Sequence, residues 1–301
     1  FLNLLTKYIY FFHKIKPSYY LSFTIKPNLI GTLSSFFFKV KVINNITGLG
    51  SVFIQKNIII KIIIIFLYKI VFLKSKTVFF QNKSDLFYFV NNKIINKNKA
   101  VLIPGSGINY KFYKYKETKI KNNKNYNFLY FGRVISEKGI LELFSAIKII
   151  KKKFKNLSFT IIGNTDVNDK KYTLITDNIK NSKNLFIYKK YTDNIIQHIR
   201  YADCVILPSY REGLPRSLLE SASCGVPIMA SNVPGCNDII INNETGILFN
   251  VKDDLDIVDK INHFINISHE KKIKITKNAR NKIEKEFDEN LIIKNYSKYI
   301  Y

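Results

Sequence analysis

The chain has 301 residues, 47% of them hydrophobic, enough for two domains of ordinary size, each with its own core. Lysine and arginine number 48 against 22 acidic residues, and the net charge of +26 suits a polyanionic partner, either nucleic acid or an anionic membrane surface. The three cysteines, Cys204, Cys224 and Cys236, lack C-x-x-C spacing, which excludes a disulfide framework and a structural zinc site.

The basic residues are spread along a chain rich throughout in Lys, Asn, Ile, Tyr and Phe, so part of the charge is compositional background. No zinc-finger spacing, recognition-helix pattern or RNA-binding motif accompanies it, so a membrane surface is expected and nucleic acid is not. Residues 1–12 are apolar but lack the basic lead and small-residue cleavage site of a secretory signal. The first residue is Phe and the single methionine is Met229, which sets the expectation of a fragment whose start is missing.

In chain order, residues 1–15 read as a helix, 20–25 as a strand, 27–38 as a helix and 40–46 as a strand ending in Thr47-Gly48-Leu49-Gly50. Residues 58–73, IIIKIIIIFLYKIVFL, form the most apolar stretch. A membrane span needs about 20 largely uncharged residues, and Lys61 and Lys69 interrupt this one. A packed helix with one face touching lipid is expected instead. Strands follow at 77–80 and 101–104, the second ending in Gly105-Ser106-Gly107. Residues 108–125 are rich in Lys, Tyr and Asn without an apolar period and read as a linker.

Beyond the linker, strands are expected at 127–131, 157–162, 185–188, 204–208, 226–230 and 247–249. Helices are expected at 140–154, 195–201, 215–224, 254–265 and 270–287. Alternation of strand and helix predicts parallel, doubly wound sheets in both halves.

The stretch that organises the rest is 204–225, CVILPSYREGLPRSLLESASCG. It reads as a buried strand, a polar loop carrying Glu212 and Gly213, and a helix opened by Pro215 and stopped by Gly225. Glu212 then stands at the carboxyl end of a parallel strand, where open α/β sheets bind ligands. The helix tip offers unpaired N–H groups and partial positive charge to a phosphate. Carboxylates at 212 and 220 can accept hydrogen bonds from sugar hydroxyls.

The longer string PSYREGLPRSLLESASCGVPIMASNVPGC resembles the signature of retaining nucleotide-sugar glycosyltransferases of family 4. The resemblance implies the GT-B fold: two doubly wound Rossmann-like parallel-sheet α/β domains, the first incomplete here. It implies a partial acceptor-side domain at 1–107, a linker at 108–125 and a nucleotide-sugar-binding domain at 126–301, whose last helix crosses back. Arg133 and Lys138, with Gly132 in GR-x4-KG form, resemble the diphosphate-binding pair. Cations fixed there would stabilise the charge building on the leaving diphosphate.

By the same resemblance Glu212 contacts sugar hydroxyls and Glu220 the ribose. Gly213, Leu214, Arg216 and Ser217 surround the phosphates, and Tyr191 lies beside the base. Lys190 stands where many relatives have glycine. The strings SFTIKPNLIGTLSS and VINNITGLGSVF resemble members acting on lipid-linked sugars, making Thr24, Lys26, Asn28, Gly48 and Gly50 acceptor-side candidates.

The implied reaction moves a hexosyl group from a nucleotide diphosphate sugar, UDP-linked by expectation, to a glycan acceptor on polyprenyl diphosphate, with retention. The implied setting is capsule or O-antigen assembly, with the enzyme peripheral at the inner face of the plasma membrane. Neither cofactor nor metal is implied beyond the nucleotide-sugar co-substrate. His13, His198, His263 and His269 have no ligand spacing, and the aspartates at 166, 169, 253 and 254 read as turn residues. A sugar-nucleotide epimerase of the same fold, an inactive fragment and a basic nucleic-acid-binding protein remain alternatives.

Overall fold

The computed structural model describes residues 2–50, 53, 57–117 and 125–300. They fall into two units, 1–107 with 289–301, and 108–288.

The first unit is built on four parallel strands in sequence order, β1 (Tyr19–Phe23), β2 (Lys41–Ile46), β3 (Ser75–Phe80) and β4 (Ala100–Leu102). Parallel neighbours need crossovers, which here are helical: a π-helix at Pro27–Gly31 running into Thr32–Ser34 and Ser35–Phe37, a long helix Ile58–Lys74, and a helix Lys83–Asn91 capped by the Asn82 side chain. The terminal helix Glu289–Ile300 packs here: Tyr19 Oη donates to the Ile300 carbonyl at 2.6 Å, and the Phe79 and Tyr296 rings stand 4.5 Å apart.

Strand β2 carries Asn44 and Asn45 where an apolar residue would be expected, and both are buried. Asn44 Nδ2 donates to Ser22 Oγ at 2.7 Å and Thr32 Oγ1 at 2.8 Å, and its Oδ1 accepts from Ser75 Oγ. Asn45 Nδ2 donates to the Ser22 carbonyl at 3.0 Å. A buried polar group without a partner costs more than its hydrogen bond contributes. Asn44→Ala, removing three buried hydrogen bonds at once, is therefore expected to destabilise the first unit by about 2–3 kcal/mol, read as a fall in the urea midpoint. An unchanged midpoint would show that the network carries no stability.

The second unit has six parallel strands: β5 (Asn127–Phe131), β6 (Ser158–Ile162), β7 (Ile187–Lys189), β8 (Cys204–Leu207), β9 (Ile228–Ser231) and β10 (Ile247–Phe249). Their spatial order is β10-β9-β8-β5-β6-β7. The chain runs outward from β5 to β7, then returns to the other side of β5 and runs outward again. The order reverses between β5 and β8, and an open α/β sheet has its ligand crevice at such a reversal. The helices Ile140–Lys153 and Asp254–Asn266 pack together, as do Arg216–Ser223 and His269–Glu286.

The lysine-rich segment after residue 107 is more firmly held than a linker. Ile108 and Tyr113 are buried in the second unit's core, and Arg280 Nη1 donates to the carbonyls of Tyr110, Tyr113 and Ser223 at 3.0, 3.0 and 2.7 Å. Single apolar anchors between lysines have no period to betray them. Lys119, Lys121 and Lys124 of that segment lie outside the described residues. The helices Lys83–Asn91, Tyr172–Asn181 and Cys236–Ile239 are additions to the expected elements.

All three cysteines are buried and free of disulfides. Burial pushes each thiol up, Cys224 to about 11. Reactive thiolate is therefore scarce at pH 8. Ellman's reagent should titrate none of them in the native protein and all three in guanidinium; prompt native reaction would contradict this burial.

Candidate active site

The residues at the reversal between β5 and β8 are held by three loops locked together. The first follows β5 and contains Gly132, Arg133 and the turn Ser136–Lys138. Gly139 closes it at φ 66°, and a Cβ there would lie 1.9 Å from the Pro208 carbonyl oxygen, so only glycine lets the loop after β8 approach. Tyr210 N–H donates to the Glu137 carbonyl at 3.0 Å, tying the two loops. The third is the turn Val233-Pro234-Gly235. Glu212 N–H donates to the Pro234 carbonyl at 3.3 Å, and a Cβ on Gly235 would meet the Gly213 carbonyl at 2.6 Å. Asp238 receives the Gly235 N–H at 3.0 Å and fixes the turn.

Within this clamp Lys138 Nζ donates to Glu212 Oε1, and Ser209 Oγ donates to the same oxygen at 2.6 Å. The side chains of Lys138 and Glu212 are only 20% and 10% exposed. A charge-assisted hydrogen bond so far from water is held more firmly than a surface ion pair. The Arg133 side chain is exposed beside it and makes no hydrogen bond or ion pair among the described residues. Tyr130 Oη donates to the Arg133 carbonyl at 2.5 Å. Burial pushes the Tyr130 phenol up and the Glu212 charge adds to it, against Arg133. Burial likewise raises Glu137, with Arg133 opposing. Asp169 receives the Ser136 N–H at 2.8 Å and hydroxyl at 2.9 Å; burial works to raise its pKa, but these bonds and one from Lys171 outweigh it and lower it.

Glu220 sits in a second cluster. Its side chain is 11% exposed and accepts from Arg216 Nε at 3.3 Å, one helical turn away. Tyr113 faces both, and its phenol is raised by burial first and then by Glu220, against Arg216. Leu214 is buried, while Gly213 and Ser217 are half-buried. The Leu218 amide donates to the Pro215 carbonyl at 3.2 Å, and the tip of the helix Arg216–Ser223 leaves the Arg216 and Ser217 amides without intrahelical acceptors. Pro215 is the N-cap, outside that set, and donates nothing.

Tyr191 lies beyond the edge strand β7, three strand spacings from β8, or roughly 14 Å. It is 71% exposed and its hydroxyl is engaged by Asp193, which raises its pKa. Tyr188, whose Oη donates to the Gly163 carbonyl at 2.9 Å, stands nearer the crevice.

In the first unit, Thr24 and Lys26 follow β1 and the 47–50 loop, with Gly48 and Gly50, follows β2 at the same end of the sheet. A Cβ on Gly50 would touch Ile25 Cδ1 at 3.3 Å, so the two loops adjoin. Thr24 holds φ 69°, a conformation that β-branched residues seldom adopt. Asn28, expected to face an acceptor, is instead fully buried: it accepts from Ser22 Oγ at 2.6 Å and donates to the Asn45 carbonyl at 2.8 Å. Its place as the second residue of the π-helix points it at the strands.

Asp166 and Asp253 cap a turn and a helix, receiving the N–H groups of Asn168 and Asp256, both at 2.9 Å. Among the described residues no group of three or more His, Cys, Asp or Glu could hold a metal ion. Ser209, Gly235, Tyr130 and Tyr113 were not singled out from sequence. Only Gly235, in a Val-Pro-Gly turn, carried a local signal.

The family model for glycosyl transferases group 1 matches residues 112–282. Among curated proteins, a capsular polysaccharide biosynthesis glycosyltransferase, CapM of Staphylococcus aureus, is 25% identical over 97% of this chain and 78% of its own length. N,N'-diacetylbacillosaminyl-diphospho-undecaprenol alpha-1,3-N-acetylgalactosaminyltransferase of Campylobacter jejuni is 29% identical over 84% of this chain and 68% of its own. Among solved structures, HepE of Anabaena in complex with UDP-glucose superposes with a TM-score of 0.83 at 17% identity, covering 99% of this chain and 81% of that one.

Proposed function

The chain belongs to the glycosyl transferases group 1 family, its fold is GT-B, and from that premise we propose that it moves a hexosyl group from a UDP-linked sugar to a lipid-carried glycan, with retention. The single observation that supports this reading most is the Lys138–Glu212 pair locked at the strand-order reversal beside exposed Arg133.

Each residue has a physical task. Arg133 and Lys138 hold the diphosphate, and as the bond from anomeric carbon to phosphate breaks, their charge meets the negative charge arriving on the leaving oxygen. Amides at the tip of the helix Arg216–Ser223 add the dipole's partial positive charge. Without donor, Glu212 is satisfied by Lys138 and Ser209. With donor, Lys138 turns to phosphate and Glu212 is freed to accept from the sugar's hydroxyls. Glu220, braced by Arg216 and Tyr113, takes the ribose. In this reading the acceptor hydroxyl attacks from the face that the diphosphate leaves, and a departing phosphate oxygen takes its proton.

HepE binds UDP-glucose and the Campylobacter relative bears an undecaprenol-diphosphate acceptor in its name, which supports donor and acceptor classes here. Assembly of a capsular or related glycan at an anionic membrane surface, without metal or cofactor, is part of the same reading. The test incubates the protein with UDP-hexoses and an undecaprenyl-diphosphate-linked sugar, then reads the product linkage by NMR. An axial donor should yield an axial linkage. Inversion would overturn the retaining route, and UDP-sugar conversion without acceptor would favour the epimerase reading.

A further inference from the structure

The helix Ile58–Lys74 is inside out for a surface helix. Apart from Ile60 in the first turn, its exposed positions 58, 59, 62, 63, 66, 69 and 73 recur at helical spacing and form one outward stripe. A solvated helix carries polar residues there. This one carries Ile58 at 67% exposure, Ile59 at 67%, Ile62 at 59%, Ile63 at 51%, Phe66 at 61% and Leu73 at 75%. Its inner side, with Tyr68, Val71 and Phe72, is already buried in the first unit's core. An apolar strip this long on one side marks an interaction surface.

Charge identifies what covers it. Lys61 is turned inward, with its Nζ over the Phe53 and Tyr88 rings at 5.6 and 5.5 Å. Lys69 is the stripe's one cation, towards the carboxyl end, and Lys74 and Lys99 cluster at that terminus, where Lys99 Nζ donates to the carbonyls of Phe72 and Leu73 at 3.0 Å each. The stripe is thus apolar for three turns and basic at its end. A second copy would bring one chain of net charge +26 against another. An anionic bilayer offers acyl chains to the isoleucines and phosphates to the lysines. No helix among the described residues is long and apolar enough to cross a membrane.

We propose that the outward face of the helix Ile58–Lys74 lies in the headgroup–acyl boundary of an anionic membrane, with Ile58, Ile59, Ile62, Ile63 and Phe66 inserted and Lys69 on lipid phosphate. It deepens the lipid-carried acceptor reading and rests on it for its purpose alone, because vesicle binding needs neither donor nor acceptor. This makes the membrane contact a local apolar insertion, distinct from attraction of the spread charge.

The chain contains no tryptophan, so Phe66→Trp places a single indole on the stripe. With phosphatidylcholine–phosphatidylglycerol vesicles its emission should shift to the blue and be quenched by lipids brominated on the acyl chain, and part of the binding should survive high salt. Ile62→Asp should weaken vesicle binding roughly tenfold while leaving UDP binding unchanged, which separates this proposal from the donor site. Binding with the indole still in water, binding wholly abolished by salt, or equal binding by Ile62→Asp would overturn it. A dimer that Ile62→Asp dissociates, with no vesicle binding by either protein, would overturn it in favour of a second copy.

Discussion

Replacing Glu212 by glutamine is expected to lower glycosyl transfer by roughly 10²–10³-fold while UDP binding stays intact or tightens. Glu212 holds Lys138 through a part-buried charge-assisted bond, and Ser209 supports the same oxygen. Glutamine keeps the shape and removes the charge, so Lys138 is released to an incoming diphosphate and the repulsion between carboxylate and phosphate disappears. The hydroxyl-accepting carboxylate is lost as well, and turnover falls with it. Lys138→Ala does the opposite on the binding side. It removes a fixed cation and leaves Glu212 facing the diphosphate, so UDP binding should weaken by roughly 10–100-fold and transfer fall further. Opposite signs for the two substitutions in UDP titrations, with circular dichroism unchanged, separate this account from a general loss of fold. Equal weakening by both would contradict the exchange of partners.

Gly139→Val is expected to be the most damaging substitution outside the charged groups, destabilising the second unit by about 3–5 kcal/mol. Two costs add. A β-branched residue must adopt φ 66°, and its Cβ must displace a backbone oxygen that would lie 1.9 Å away. The Pro208 carbonyl cannot rotate aside as a side chain could, so the loops after β5 and β8 must part. Parting them separates Lys138 from Glu212, and UDP binding should fall even where the variant folds. A thermal midpoint within a degree or two of wild type would show that the loops are not so closely apposed.

The placement of the candidate site residues was legible wherever it is local. Lys138 and Glu212 lie 74 residues apart, yet each stands in a short strand–loop–helix segment whose residue types announce the turn and the helix start. Strand β5, the helix Ile195–Tyr201 and strand β10 match the expected bounds to the residue, because Gly132 ends the first, Asn194 opens the second, and Gly246 and Asn250 bracket the third. What could not be read is what long-range contacts decide. Asn44 and Asn45 fall inside the strand expected at 40–46, but their burial rests on Ser22, Thr32 and Ser75, which meet them from elsewhere in the chain. Asn28 looked like a ligand-facing residue and is a structural one for the same reason. Gly235 matters through its close approach to another loop, and Ser209 only through the Glu212 carboxylate that Lys138 shares. The helix Tyr172–Asn181 buries Ile175 alone, too weak an apolar pattern to announce itself.

The account stands on a diphosphate pocket between the loops after β5 and β8. Calorimetric titration of the protein and of its Lys138→Ala variant with UDP measures that most directly. The prediction is saturable heat for the native chain and at least tenfold weaker affinity for the variant; no heat from the native chain, or one affinity for both, would contradict it.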